Sequence, residues 1–201
     1  MPETIVSAAA GRVAIGFSQP YVAIYAASGG AVTYSSGQKL ARGVFVSLDV
    51  NSADENTFYA DNQAAETAGG EFADGSVKLT VDGLLMAAHR LIRGLPAADS
   101  DGWTPDGDAT QVPYCGIGYI TKYMSGGVIV WVPTVLCKAK FSVPGEEAET
   151  QGEEIVWQTQ ELNATLMRDD STAHNWRFLG AEFATEAAAE AALKTKLGIT
   201  G

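Results

Sequence analysis

The sequence predicts a mainly β protein: two packed antiparallel sheets, sandwich- or barrel-like, with two short flanking helices. Three observations carry this reading. The stretch Pro113 to Arg168 holds long runs of residues that fit a pleated, half-buried surface: Tyr119-Ile120, Val128 to Val132 and Ile155-Val156-Trp157. Turn signals such as Ser28-Gly29-Gly30, Ser125-Gly126-Gly127 and Pro144-Gly145 punctuate such runs at short intervals. Only two segments carry paired helix start and stop signals.

Taken in order, residues 1–11 read as a small-residue arm. Arg12 to Phe17 and Tyr21 to Ala26 read as short strands split at Ser18-Gln19-Pro20, and Ala31 to Tyr34 follows the Gly-Gly turn. After a turn at Ser36-Gly37, Leu40 to Val50 alternates, with Val44, Val46, Leu48 and Val50 against Phe45, Ser47 and Asp49. Residues 51–74 change character. They are acidic and rich in Ala and Gly, with Phe58, Tyr59 and Phe72 set among them. A structureless stretch of this length in a compact domain points to a functional loop or to disorder. Its aromatics suit either a partner surface or anchors onto the loop's own domain.

Ser76 to Val81 reads as a strand. Asp82 then reads as the cap of a helix over 83–93, with Arg90 and Arg93 in its last turn and Gly94 past its end. Residues 95–111 form a loop rich in Pro, Gly and Asp. The hairpin of the 113–168 region follows, then a polar loop and the strand-like run Trp176 to Leu179. Thr185 caps the second helix, Glu186 to Leu197, which Gly198 closes. Its nearly all-Ala body, anchored by Leu193 and Leu197, suits close packing on a sheet. No internal repeat or linker divides the 201 residues, so the reading is a single domain.

Composition narrows the function classes. Hydrophobic residues make up 46%, enough for a packed core, and the formal net charge is −11. Such a surface repels phosphate backbones and disfavours tight nucleic-acid binding, although acidity also serves solubility alone. No run approaches the roughly 20 apolar residues of a membrane helix. The N-terminus lacks the basic region and apolar length of a signal peptide, so a soluble protein made in a cytoplasm is expected. Cys115 and Cys137 lie on the two arms of the hairpin. A three-residue loop at 125–127 would place them opposite each other, whereas a two-residue turn would slip the register and turn them to opposite faces. Buried free thiols are the default in that setting.

Catalytic and metal signatures are scarce. His89 and His174 are the only histidines, no second one stands at metal-ligand spacing, and there is no Cys-x-x-Cys. The Gly-x-Ser-x-Gly, phosphate-loop and His-Glu-x-x-His patterns are absent. Asp99, Asp101, Asp106 and Asp108 fail the EF-hand pattern, because Gly102 is misplaced and Thr110 stands where the bidentate Glu belongs. Glu146, Glu147, Glu149, Glu153 and Glu154 read as a solvated charge run rather than as paired catalytic carboxylates. Trp103, Trp131, Trp157 and Trp176 could stack on sugars, but Trp131 and Trp157 fall in strand-like runs where core is the usual place.

Several segments, in order, resemble one family. They are Val32-Thr-Tyr through Val46-Ser-Leu-Asp-Val-Asn-Ser, then Thr57-Phe-Tyr-Ala-Asp-Asn, then Gly75 to Gly83. The most specific is Pro113-Tyr-Cys-Gly-Ile-Gly-Tyr-Ile through Lys138-Ala-Lys-Phe-Ser-Val-Pro to Glu147-Ala-Glu-Thr-Gln-Gly-Glu-Glu-Ile-Val-Trp-Gln-Thr; Trp176-Arg-Phe and Phe183-Ala-Thr-Glu-Ala-Ala-Ala close the set. Together they resemble the major tail protein, or tail tube protein, of long-tailed phages with non-contractile tails. Pro133, which interrupts the second hairpin arm and implies a bulge or edge there, and the Asp/Gly-rich 95–111 loop depart from that pattern.

The resemblance implies a virion protein with no catalytic residue, cofactor or metal. It implies hexameric rings of this chain stacked into a tube around a tape measure protein, bounded by tail tip and terminator proteins, with double-stranded DNA passing through the lumen unbound. An acidic wall suits a conduit that must not hold DNA. Within this reading Phe58, Tyr59, Asp61 and Phe72 are the expected inter-subunit contacts, with the N-terminal arm second. Two other classes compete: a secreted carbohydrate-binding β-sandwich using Trp103, and a hydrolase using the Glu146–Glu154 cluster.

Overall fold

A computed structural model describes residues 11–150 and 156–199. The N-terminal arm expected at 1–11 lies, apart from Gly11, outside the described residues, as do Ile155, Glu153 and Glu154.

The described residues form ten strands and two helices: β1 (Val13–Ser28), β2 (Ala31–Lys39), β3 (Gly43–Ser52), β4 (Asn56–Ala60), β5 (Gln63–Ala68), β6 (Phe72–Val81), α1 (Met86–Arg93), β7 (Cys115–Ser125), β8 (Val128–Phe141), β9 (Gln160–Met167), β10 (Arg177–Leu179) and α2 (Glu186–Lys196). The expected mainly β architecture with two short helices is what forms. Its strands lie in one large antiparallel sheet of order β2-β1-β7-β8-β9-β6-β3, with β10 added beside β8, and in a separate two-stranded sheet, β4-β5. The large sheet is not closed into a barrel. Its halves instead share a core, where Val22, Ile117 and Leu136 meet Val77, Leu79, Leu162 and Leu166. Gly43 at the start of β3 lies against the ring of Phe17 on β1, so the far edge strand returns to the first strand.

The two runs expected at 12–17 and 21–26 are one strand. The Ser18-Gln19-Pro20 interruption is a bulge, with Gln19 at φ 53° and the ladder to β7 shifting between Ser18 and Tyr21. The Ser36-Gly37 turn is likewise absorbed within β2, where Ser36 takes φ 53°. The hairpin turn between β7 and β8 is a two-residue one: Ser125 pairs Val128, and Gly126 and Gly127 take φ 57° and 83°, the geometry that matches strand twist. A bulge between Cys115 and Ile117 shifts the register once more, so Cys115 stands opposite Ala139, and both thiols are free and buried.

Pro133 sits inside β8, opposite Ile120. Its carbonyl accepts from the Gly180 N–H at 2.8 Å, and the Trp131 N–H bonds the Phe183 carbonyl on that same side. The missing proline N–H therefore faces the short, irregular flank between β10 and Phe183, a place where the ladder lacks little by losing one donor.

α2 behaves as its sequence predicts. The Thr185 hydroxyl accepts from the Ala188 N–H, and the helix covers the outer face of β1, β7 and β8. Tyr21, Ala23, Ile120 and Val135 pack there against Ala189, Leu193 and Leu197. The approach is close because β7 presents Gly116 and Gly118. A methyl group at Gly118 would lie 2.7 Å from both Leu193 and Leu197.

α1 departs from expectation. It begins at Met86, and its N-cap is Leu85, with no side-chain cap. Asp82 is engaged elsewhere, accepting from the Arg42 backbone N–H at 2.9 Å and pairing with the Arg42 guanidinium. That pairing holds the Asp82 carboxyl below its ordinary range. Gly94 does close the helix, at φ 70°.

Candidate functional site

Residues 51–74 hold the largest correction to the sequence reading. They are no structureless loop. β3 continues to Ser52, β6 begins at Phe72, and between them β4 and β5 form a hairpin. Its turn is Asp61-Asn62, with φ 51° and 61°, the pair of left-handed residues that a tight hairpin requires. Asp61, expected as a contact residue, is accounted for by this turn. Thr57 and Thr67 face each other across the ladder with hydroxyl oxygens 3.3 Å apart. At the base, the Ala53 N–H donates to the Glu71 carbonyl at 2.7 Å.

The hairpin pairs with no strand of the main sheet. Every residue of β5 is exposed, and in β4 only Thr57 is half-buried. Phe58 and Tyr59 are each 66% exposed. As neighbours on a strand they point to opposite faces. Phe58 stands directly opposite Glu66 and Tyr59 opposite Ala64, so one face presents a ring beside a carboxylate and the other a phenol beside a methyl. A two-stranded hairpin alone in water is marginally stable at best, and this one shields neither of its aromatics.

Phe72 belongs to the other side of the account. It is 8% exposed and stacks on Trp176, ring centroids 4.6 Å apart and planes 6° from parallel. Its carbonyl accepts from the Arg168 guanidinium, which also pairs with Glu71 at 3.3 Å. Phe72 is thus an anchor of its own domain, and its expected role as an inter-subunit contact is withdrawn. The aromatics of the segment divide between the two roles that the sequence allowed: Phe72 anchors, while Phe58 and Tyr59 are presented outward.

The main sheet offers two further unpartnered features. Among the described residues, β2 and β3 end the strand order and each pairs on one side only. On β3, Val46 and Leu48 pack on the core, while Val44, Phe45 and Val50 stay exposed. The alternation expected for this strand therefore holds only in its middle.

Elsewhere the polar groups are used structurally. Asp169, 4% exposed, accepts from the Ser171 and Asn175 backbone N–H groups and from the Ser171 hydroxyl. Asp170 pairs with Lys138 at 2.7 Å and accepts from the Tyr25 hydroxyl. The Lys138 and Tyr25 bonds hold the Asp170 carboxyl below its ordinary range. Asp99 accepts from the Asp101 and Trp103 N–H groups, whereas Asp106 is held by Arg93, so the four aspartates of 99–108 do not converge. Among the described residues no group of His, Cys, Asp and Glu is arranged to hold a metal ion. His89 lies on α1, and His174 sits in the 169–175 turn at φ 49°.

A polar groove of about 710 Å³ runs beside Glu146 and Glu147, lined also by Asp82, Gln160, Glu161 and Asn163. Two carboxylates there are shifted, and both downward: Asp82 by Arg42, and Glu161 by hydrogen bonds from Lys78 and Asn163. A glycosidase-type acid needs the opposite, a carboxyl raised so that it keeps its proton. Trp157, expected in a core strand, lies before β9 and is 85% exposed, and Trp103 is 76% exposed. Among the described residues, no helix is long and apolar enough to cross a membrane. No protein-family model matches the chain, and no curated protein matches it in sequence.

Proposed function

We propose that this protein is a structural subunit that works by binding copies of itself, as the building block of a phage tail tube. The observation that carries the reading is the β4-β5 hairpin. It is well formed yet unsupported, and it displays an aromatic ring on each face. Ordering such a projection is unfavourable unless a partner covers it. The two open edges, β2 and β3, are a second set of backbone groups ready to accept a neighbouring strand. The net charge of −11 suits a conduit whose wall repels the phosphates passing through it.

The family resemblance of the sequence supplies the rest of the reading. Copies close into hexameric rings, the rings stack around a tape measure protein, tail tip and terminator proteins bound the tube, and the virion tail is its final location. Electron microscopy of the purified protein tests this. Rings or hollow tubes are expected, and a chain that stays monomeric at every concentration and salt condition contradicts it.

A second reading draws on Trp103 and Trp157, two exposed indoles of the kind that stack on sugars. Under it the protein is a secreted carbohydrate-binding module: a monomer that loses glycan binding when Trp103 is replaced by Ala. A glycan array that captures the wild type would favour it, and an array with no signal removes it.

A further inference from the structure

An apolar groove of about 290 Å³ lies between α2 and the flank of β8, lined by Pro133, Val135, Phe178, Phe183 and Leu193, with Lys196 at its rim. The Lys196 ammonium stands 3.7 Å from the centre of the Phe178 ring, and among the described residues no carboxylate pairs with it. Asp169, which lines a neighbouring groove together with Lys196, already accepts from Ser171 and Asn175, and the acids on or beside α2 are occupied too. Glu182 pairs with Arg12 at 2.8 Å, Glu190 pairs with Lys194 at 2.9 Å, and Glu186 accepts from Ser18. In a chain of net charge −11, this groove therefore combines an apolar floor with a free positive charge.

The hairpin carries the complement. Residues 54–70 contain Asp54, Glu55, Asp61 and Glu66 and no Lys or Arg. Phe58 and Glu66 are direct cross-strand partners, beside the bulge that shifts the register before Tyr59. Their shared face offers a ring for the floor and a carboxylate for the rim. We infer that the occupant of the groove is the β4-β5 hairpin of a second copy of this chain, with Phe58 on Phe178, Phe183 and Leu193, and Glu66 paired to Lys196. Hairpin and groove are different patches, so the contact is heterologous. Repeated from copy to copy it closes a ring or extends a filament rather than ending at a dimer. The Tyr59 face is left for another surface. This inference rests on the self-assembly reading above.

The test uses charge reversal in the full-length protein, read by sedimentation and electron microscopy. Glu66→Lys and Lys196→Glu each raise the concentration needed for assembly by about tenfold or more, and the double variant restores it toward the wild-type value. Phe58→Ala abolishes assembly at concentrations where Tyr59→Ala retains this particular contact. Cysteine capture reads that contact directly. A Leu179→Cys copy forms a disulfide with a Phe58→Cys copy in assemblies, while Cys115 and Cys137 stay protected by burial. Wild-type tubes in which neither reversal has an effect, or in which the reversals simply add, overturn the pairing and leave the self-assembly reading standing. Capture of Leu179→Cys by a cysteine placed within residues 1–10 would assign the groove to that segment and overturn the inference. A wild type that never assembles removes both.

Discussion

The outer layer under α2 and the β4-β5 hairpin are both antiparallel β structure closed by left-handed two-residue turns, yet they obey opposite rules. In the first, the strands are covered where α2 lies on them, while Val13, Ile15, Met124 and Val128 towards the hairpin end stay exposed. β7 lies between β1 and β8, its glycines admit Leu193 and Leu197, and Ile120 and Leu197 are fully buried. In the second, the backbone ladder is satisfied and almost nothing else is. The difference separates a region that packs on itself from one that the self-assembly proposal assigns to contacts between copies. The layered core covers its own apolar side chains, and under the self-assembly proposal the hairpin is the part that a neighbouring copy covers. The distinguishing property is whether apolar surface is covered by the same chain.

The sharpest way to break the comparison is to treat its two phenylalanines alike. Phe72→Ala removes a buried, stacked ring and is expected to cost about 3–5 kcal/mol by chemical denaturation. Phe58→Ala, at a site 66% exposed, should change stability by no more than ~0.5 kcal/mol while suppressing assembly. Equal costs at the two positions would mean that the hairpin is packed in solution. Gly118→Val presses a branched side chain against Leu193 and Leu197 and should destabilise by about 1–3 kcal/mol, with a lower melting temperature as the readout. An unchanged melting temperature would show that α2 is loosely held.

Near neutral pH no such effect is expected, but one emerges in alkali. Burial pushes the Cys115 and Cys137 thiols from an ordinary 9.0 up to about 12, and burial raises the Tyr25 hydroxyl from 10.0 to about 12 against the opposing hydrogen bond from the Asp170 backbone N–H. The unfolded chain releases these protons near the ordinary values, and the folded chain keeps them. Stability is therefore fully present below about pH 9 and declines as pH climbs toward 12. Denaturant melts at pH 7, 9 and 10.5 check this, and so does a thiol reagent, which should leave the native protein unlabelled at pH 8. Rapid labelling there would place the thiols at the surface.

The elements legible in the sequence were those whose cause is local. Thr185, the Ala-rich run and Gly198 lie within one helix length, and Gly126-Gly127 stands between two long β-prone arms. What escaped depends on distant partners or on missing ones. Asp82 looked like a cap because its actual partner, Arg42, is 40 residues away. Phe72 looked exposed beside Gly69-Gly70 because Trp176 lies over a hundred residues further on. β5 reads Gln-Ala-Ala-Glu-Thr-Ala, with neither β-branched alternation nor large apolar residues, because neither of its faces meets a core. The hairpin was nonetheless signalled at Thr57-Phe58-Tyr59 followed by Asp61-Asn62, a strand end and a turn pair that outweigh the bland second strand. Trp157 misled in the reverse sense, a core residue type placed in the connector before β9.

One measurement tests the central claim most directly. Residues 54–70 are replaced by Asn-Gly, which closes the existing Ala53 and Glu71 base as a two-residue turn and spares Phe72. Wild type and variant are then compared by circular dichroism and electron microscopy at equal concentration. The account predicts two folded proteins with matching melts, of which only the wild type builds rings or tubes. A folded variant that polymerises as the wild type does would contradict it.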